Sequence, residues 1–158
     1  MSRIRAAASM VIDAQPEEIY PLIADYHHGH PQIVPKKYFK SLVVESGGYG
    51  AGTVIRGSVR VAGMETRFHH LVSEPAPGVL VEKDLDTSMA TTFTVSSLQN
   101  GQSNVDIVTE WEGRGVRGFF ERLMNPPVMR RIYREELQQL ADVVKSKRIS
   151  ASSVADAK

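Results

Sequence analysis

The sequence contains no cysteine, which removes disulfide scaffolds, thiolate metal sites, CxxC redox chemistry and cysteine nucleophiles together. It has no apolar run near the roughly 18 residues of a membrane span. Its first ten residues carry Arg3 and Arg5 without the apolar centre of a signal peptide, so a cytoplasmic protein is the default expectation. Net charge is nearly absent, with 19 Lys+Arg against 18 Asp+Glu, so bulk positive charge is not available to hold nucleic acid. Phosphate-cradling glycine patterns, a GxSxG nucleophile elbow and an EF-hand loop are missing too. What remains, 158 residues of which 42% are hydrophobic and 23% charged, suits one domain with a core of its own.

The near-zero charge hides a division. Residues 1–113 carry 9 basic and 13 acidic side chains, whereas residues 114–148 carry 9 basic and 4 acidic ones. The basic stretch coincides with a helical pattern at the end of the chain, so the division reads as an acidic sheet gripping a basic helix.

Ala8, Met10 and Ile12 alternate with Ser9, Val11 and Asp13, which predicts a first strand. Pro16 followed by Glu17 and Glu18 predicts a helix start, because proline suits the first helical position and acids oppose the dipole. That helix should reach about Tyr26 and break at His27–Pro31. From Leu42 to Trp111 the chain alternates with a period of two, punctuated by Gly47-Gly48, Gly63, Pro77-Gly78 and Asn100-Gly101, which predicts consecutive antiparallel strands joined by hairpins. Val116, Phe119, Phe120, Leu123 and Met124 are spaced for one helix face. Pro126-Pro127 should kink or restart the helix, and Met129, Tyr133, Leu137, Leu140 and Val144 form a second stripe. The expected organisation is one α+β domain over residues 1–148 and a frayed tail over 149–158. A single helix about 10–12 Å across cannot fill the concave side of such a sheet, so internal space is expected.

The order of these segments resembles the Bet v 1-like, or START-like, superfamily (polyketide cyclase/dehydratase-like proteins) over about Arg5 to Lys147. The resemblance rests on SMVIDAQPEEI (Ser9–Ile19), GAGTV (Gly50–Val54), FHHLVSEP (Phe68–Pro75) and the closing amphipathic helix. It implies a helix-grip fold, with a seven-stranded curved antiparallel sheet around a long C-terminal helix and two short helices after strand 1. It further implies a deep, mainly apolar cavity for lipids, sterols, polyketides, hormones or quinones. The superfamily has no universal catalytic motif, so it assigns no catalytic residue and no cofactor here.

If the apolar strand faces point inward, Ile55, Phe68, His70, Thr91, Phe93, Thr109 and Trp111 look toward the helix. Met124, Met129 and Tyr133 look back, and Tyr26, His30 and Tyr38 sit near the mouth. Such a wall, apolar with a few hydroxyls and one imidazole, suits a small-molecule pocket, and it suits a filled core too. The histidines cluster as His27, His28, His30 and His69, His70. Neighbours on a strand face opposite ways, so His69 and His70 cannot share a metal, and no metal site is expected. His70 is the one candidate for acid–base work on a ligand carbonyl, with Tyr133 or Thr109, although no carboxylate is plainly placed to orient it. Glu82, Asp84 and Asp86 read as a solvated hairpin.

The leading expectation is therefore binding or transport of a hydrophobic or amphipathic small molecule. The alternatives are a cyclase- or dehydratase-type enzyme, or an interaction module using the basic helix. No nucleic-acid partner is expected, and a weak contact with anionic membranes through that helix is a subsidiary expectation.

Overall fold

Alternation of side chains along the chain builds seven strands, and the computed structural model describes them within residues 3–113 and 125–157. They are β1 (Arg3–Ile12), β2 (Phe39–Ser46), β3 (Val54–Val61), β4 (Met64–Ala76), β5 (Val79–Asp84), β6 (Ala90–Ser97) and β7 (Ser103–Glu112). All neighbours pair antiparallel, in the order β1-β7-β6-β5-β4-β3-β2. The helices are α1 (Pro16–Ala24), α2 (His30–Ile33) and α3 (Pro126–Asp156). This is the expected α+β helix-grip architecture.

Local chemistry explains the boundaries. At the start of α1, the Gln15 backbone N–H donates to Glu18 Oε2 at 2.9 Å, which satisfies one of the free donors of a helix end. The helix stops at Ala24, short of the expected Tyr26, whose N–H is taken by the Gly48 carbonyl at 2.9 Å. Asn100 and Gly101 both adopt positive φ, 65° and 76°, as a tight hairpin between β6 and β7 requires. Pro126 and Pro127 open α3 at its first positions, where the missing N–H has no partner to lose. The helical stripe expected from Val116 to Met124 lies outside the described residues.

From Ile149, where fraying is expected, α3 continues through Asp156. The Ser150 and Ser153 hydroxyls bond back to the Ser146 and Ile149 carbonyls at 3.1 and 3.0 Å, so these serines work within the helix.

Burial follows the pleat. Ala6 and Ile12 on β1, Leu80 on β5, Phe93 and Val95 on β6, and Val105, Ile107 and Trp111 on β7 point into the core. There they meet Met129, Ile132, Leu137, Leu140 and Val144 of α3. Among the described residues, α3 packs chiefly along β1 and touches α1 and α2. It therefore lies toward one edge of the sheet and leaves the concave side of β3 to β6 less filled. That offset positions the cavity.

The expected grip of acidic sheet on basic helix is not what holds α3. Arg148 pairs with Glu18 on α1 at 2.7 Å and Arg131 with Glu135 of its own helix at 3.6 Å. Among the described residues no cation of α3 pairs with a sheet carboxylate, because Arg130, Arg134, Lys145 and Lys147 lie on the exposed face. No helix among the described residues is long and apolar enough to cross a membrane.

Candidate functional site

Between α3 and strands β3 to β6 lies a cavity of about 120 Å³. Its wall is mainly apolar, with Val34 after α2, Phe39 at the start of β2, Val59 and Val61 on β3, Phe93 on β6 and Met129 and Ile132 on α3. Phe68 owes its place to Gly57 on the paired strand. A Cβ there would sit 2.4 Å from the Phe68 ring and 2.3 Å from the Ser41 carbonyl. The glycine is thus a steric requirement of the ring that lines the cavity.

Within this apolar wall is a buried ionisable cluster. Glu82 projects inward from β5, and its Oε1 accepts a 2.6 Å hydrogen bond from the Tyr26 hydroxyl. His30 Nε2 stands 3.7 Å from the same oxygen. His30 Nδ1 lies 2.7 Å from the Ile23 carbonyl. A carbonyl only accepts, so Nδ1 carries the hydrogen and Nε2 is the atom turned to Glu82. On the other side, His70 Nδ1 is 3.4 Å from Glu82 Oε2 and His70 Nε2 is 3.5 Å from Asp84 Oδ2. These contacts bring the groups close without a well-formed hydrogen bond. Both His70 ring nitrogens and the Thr66 hydroxyl are buried with no partner among the described residues, and both residues line the cavity. Asp84 is itself fixed by the Asp86 and Thr87 N–H groups, at 3.0 and 2.8 Å on Oδ1.

A second polar feature is a chain of hydroxyls. Thr91 and Thr109 are 2.7 Å apart, and Thr109 in turn is bonded to the Tyr133 hydroxyl. Thr91 and Tyr133 reach the cavity wall.

The two buried glutamates differ in charge. Burial alone pushes the Glu82 carboxyl up, but the His70 imidazole, the nearby His30 and the Tyr26 hydroxyl together hold it below the ordinary carboxylate range. It is an anion. Glu136 on α3 also lines the cavity and is pushed well above the ordinary range, first by burial and then by the charge of Glu82. Both causes favour its protonated form. Burial and the Glu82 charge likewise raise the Tyr26 phenol, so it stays a donor.

Of the residues singled out in sequence, His30, Phe68, His70, Thr91, Phe93, Met129 and Tyr133 stand on the cavity wall. Tyr26 is buried behind it as the donor to Glu82, away from any mouth. Tyr38 is half-buried and bonds Glu135 at 3.2 Å. Ile55, Thr109 and Trp111 are buried without lining the cavity, and Met124 lies outside the described residues. His69 and His70 do face opposite ways, His69 lying outside against Glu45 at 2.8 Å. Two expectations are corrected. Glu82 and Asp84, read as solvated, are 7% and 4% exposed. His70, read as lacking a carboxylate, has two. Their strand holds Leu80, Glu82 and Asp84 on one parity and Val79, Val81 and Lys83 on the other. Either face could have been the inner one by hydropathy, and the β6 pairing decides it. Among the described residues no group of three or more such side chains is arranged to hold a metal ion.

Fold and cavity together define a helix-grip protein of the Bet v 1/START-like class. The chain belongs to the family described as polyketide cyclase/dehydrase and lipid transport, which it matches over residues 3–145. The KanY protein, solved in solution by NMR, is 30% identical, with TM-score 0.80 over 92% of this chain and 99% of that one. The Zhui aromatase/cyclase from Streptomyces sp. R1128 is 17% identical, with TM-score 0.73 over 91% and 94%. A START superfamily protein from Mycobacterium smegmatis is 17% identical, with TM-score 0.61 over 90% and 95%. The last two are alike in fold alone. No curated protein matches the sequence.

Proposed function

We propose that the cavity binds a compact, mainly apolar molecule bearing a carbonyl group, and that His70 exchanges a proton with it at the carbon beside that carbonyl. The observation that carries this reading is His70, an imidazole on the cavity wall with both nitrogens unbonded and a carboxylate near each. An apolar pocket needs no such group to hold an apolar molecule, and burying one beside two carboxylates costs stability. A base oriented by carboxylates is the usual equipment for proton transfer near neutral pH. In this step the imidazole takes the proton, the C–H electron pair becomes a C=C bond, the carbonyl π pair moves onto the oxygen to give an enolate, and Glu82 and Asp84 stabilise the imidazolium that forms. Phe68, stacked on the His70 ring at 4.7 Å between centroids, holds the ring in place. The family's description, which includes cyclase and dehydrase chemistry, supports this class of reaction.

The size of the space narrows the ligand. About 120 Å³ approaches the ~150 Å³ apolar cavity that takes up benzene and falls short of the roughly 300–1,000 Å³ of drug-sized sites. The space is of single-ring size, so a ring with a short carbonyl arm needs a small adjustment of the wall, and a lipid chain needs the walls to move well apart. Phe68, Phe93, Met129, Thr91, Tyr133 and His30 are the proposed contacts.

The test uses acetophenone as probe. Binding is followed by the methyl resonance of Met129, and proton transfer by deuterium uptake at the acetophenone methyl in D₂O. The reading predicts a specific shift of Met129 and uptake above the buffer rate, with His70→Ala keeping the shift and losing the uptake. A second reading, carriage without chemistry, is favoured by the mainly apolar wall. It predicts the Met129 shift with uptake at the buffer rate.

A further inference from the structure

Glu136 takes no part in the chemistry above, yet it is 3% exposed and sits on the cavity wall. Its position on α3 shares one helix face with Met129, Ile132 and Tyr133, which line the same space. An apolar side chain at this position would extend that face and spare the cost of burying a carboxyl. Among the described residues no hydrogen bond engages its carboxyl, so it completes no structural network there. Helix and sheet form opposite walls of the cavity, so Glu136 stands across from His70 on β4 and Glu82 on β5.

We propose that Glu136 is the cavity's proton donor, protonating the carbonyl oxygen of the bound molecule while His70 withdraws a proton from the neighbouring carbon. The inference rests on the proton-transfer reading of the site and names the residue that completes it. Charge balance then closes. The C–H bond breaks and its proton goes to His70. Its electron pair forms the C=C bond, and the former C=O π pair takes the Glu136 proton as a new O–H bond. The product is an enol, with His70 protonated and Glu136 ionised, and reversal with a solvent deuteron restores both. A base alone would leave the developing charge on a buried enolate oxygen with no donor beside it.

The environment supports the two roles. The groups around Glu136 are Glu82 on β5, Tyr26 in the loop after α1 and Tyr133 on α3. His70 on β4 flanks Glu82 and has Asp84, at the end of β5, beside its other ring nitrogen, and His30 flanks Glu82 from α2. Burial and the Glu82 charge favour the acid form of Glu136, while His70, with Glu82 and Asp84 beside its ring nitrogens, is placed as the base. The substrate class that follows is a compact enolisable ketone with its oxygen toward α3 and its acidic carbon toward β4.

The experiment measures deuterium uptake by acetophenone in D₂O as a function of pH for the unaltered protein, Glu136→Gln and Glu136→Asp. Far-UV circular dichroism and melting establish that each is folded. In the unaltered protein uptake should fall as pH rises through the ionisation of Glu136. Glu136→Gln should lower the rate by about a hundredfold and abolish that alkaline fall, and Glu136→Asp should recover part of the rate. Uptake by folded Glu136→Gln at the unaltered rate, with an unchanged profile, overturns the role of Glu136 alone. Absence of uptake by the unaltered protein overturns the proton-transfer reading and the role of Glu136 with it.

Discussion

The Tyr26 hydroxyl donates a 2.6 Å hydrogen bond to Glu82, joining the loop after α1 to the middle of the sheet through a buried phenol and a buried carboxylate. Tyr26 also stacks on His30, with ring centroids 4.6 Å apart, so one side chain braces both the anion and an imidazole beside it. Tyr26→Phe keeps the ring and removes the donor. It should destabilise the fold by about 1–3 kcal/mol, the usual consequence of leaving a buried polar group unpaired. Urea denaturation checks this, and an unchanged midpoint and slope would mean the bond contributes nothing net.

The two buried glutamates should give opposite pH signatures. Glu82 is held below the ordinary carboxylate range. Its contribution to stability is present above the unfolded-state pKa and lost as pH falls through the folded value. Glu136 is raised, so it favours the fold below the unfolded-state pKa, and that contribution is lost as pH rises through the folded value. Glu82→Gln should therefore be less stable than the unaltered protein near neutrality, by a margin that shrinks in acid. Glu136→Gln should gain on it as pH rises, by at most about 1.4 kcal/mol per pH unit. Melting curves across that range decide the matter, and parallel behaviour of the two variants would contradict the assigned charge states.

Gly57→Ala places a Cβ into the Phe68 ring and the Ser41 carbonyl. The ring can yield only toward the cavity, and the β2 backbone cannot yield cheaply. A destabilisation of about 1–3 kcal/mol is expected, together with weaker acetophenone binding. Chemical denaturation and a titration followed by NMR check both. Loss of stability with unaltered affinity would show that Phe68 does not shape the site.

Met129 is a flexible part of the wall, and Met129→Ala should enlarge the space while costing about 2–5 kcal/mol of stability. Its affinity for a two-ring ketone such as 2-acetonaphthone should rise relative to acetophenone. Parallel titrations of both ketones test this, and an unchanged preference would place the ligand elsewhere.

The fold was legible because its signals are local. Alternation in β6 and β7, the Asn100-Gly101 turn and the Pro16 helix start each announce themselves within a few residues. His30, His70 and Tyr133 were also found, because an imidazole or phenol at an inward register stands out. Glu82 and Glu136 were not, for two reasons. In β5 the inward parity is fixed by pairing with β6, which hydropathy does not reveal, since Val79 and Val81 compete with Leu80. On α3, Glu135 and Glu136 adjoin and read as one solvated charge run, although Glu136 falls three residues after Tyr133 and seven after Met129 on the buried stripe. Extending that stripe by its spacing, whatever the residue type, would have exposed it. Buried charge is visible in sequence only through the register that buries it.

The central claim is that His70 meets a carbonyl compound inside this cavity, and the most direct test is a crystal structure of the protein grown with acetophenone. The account predicts the ring between Phe93 and Met129, with its carbonyl arm within reach of both a His70 ring nitrogen and Glu136. Acetophenone on the outer surface only, with side chains filling the space beside His70, would contradict it.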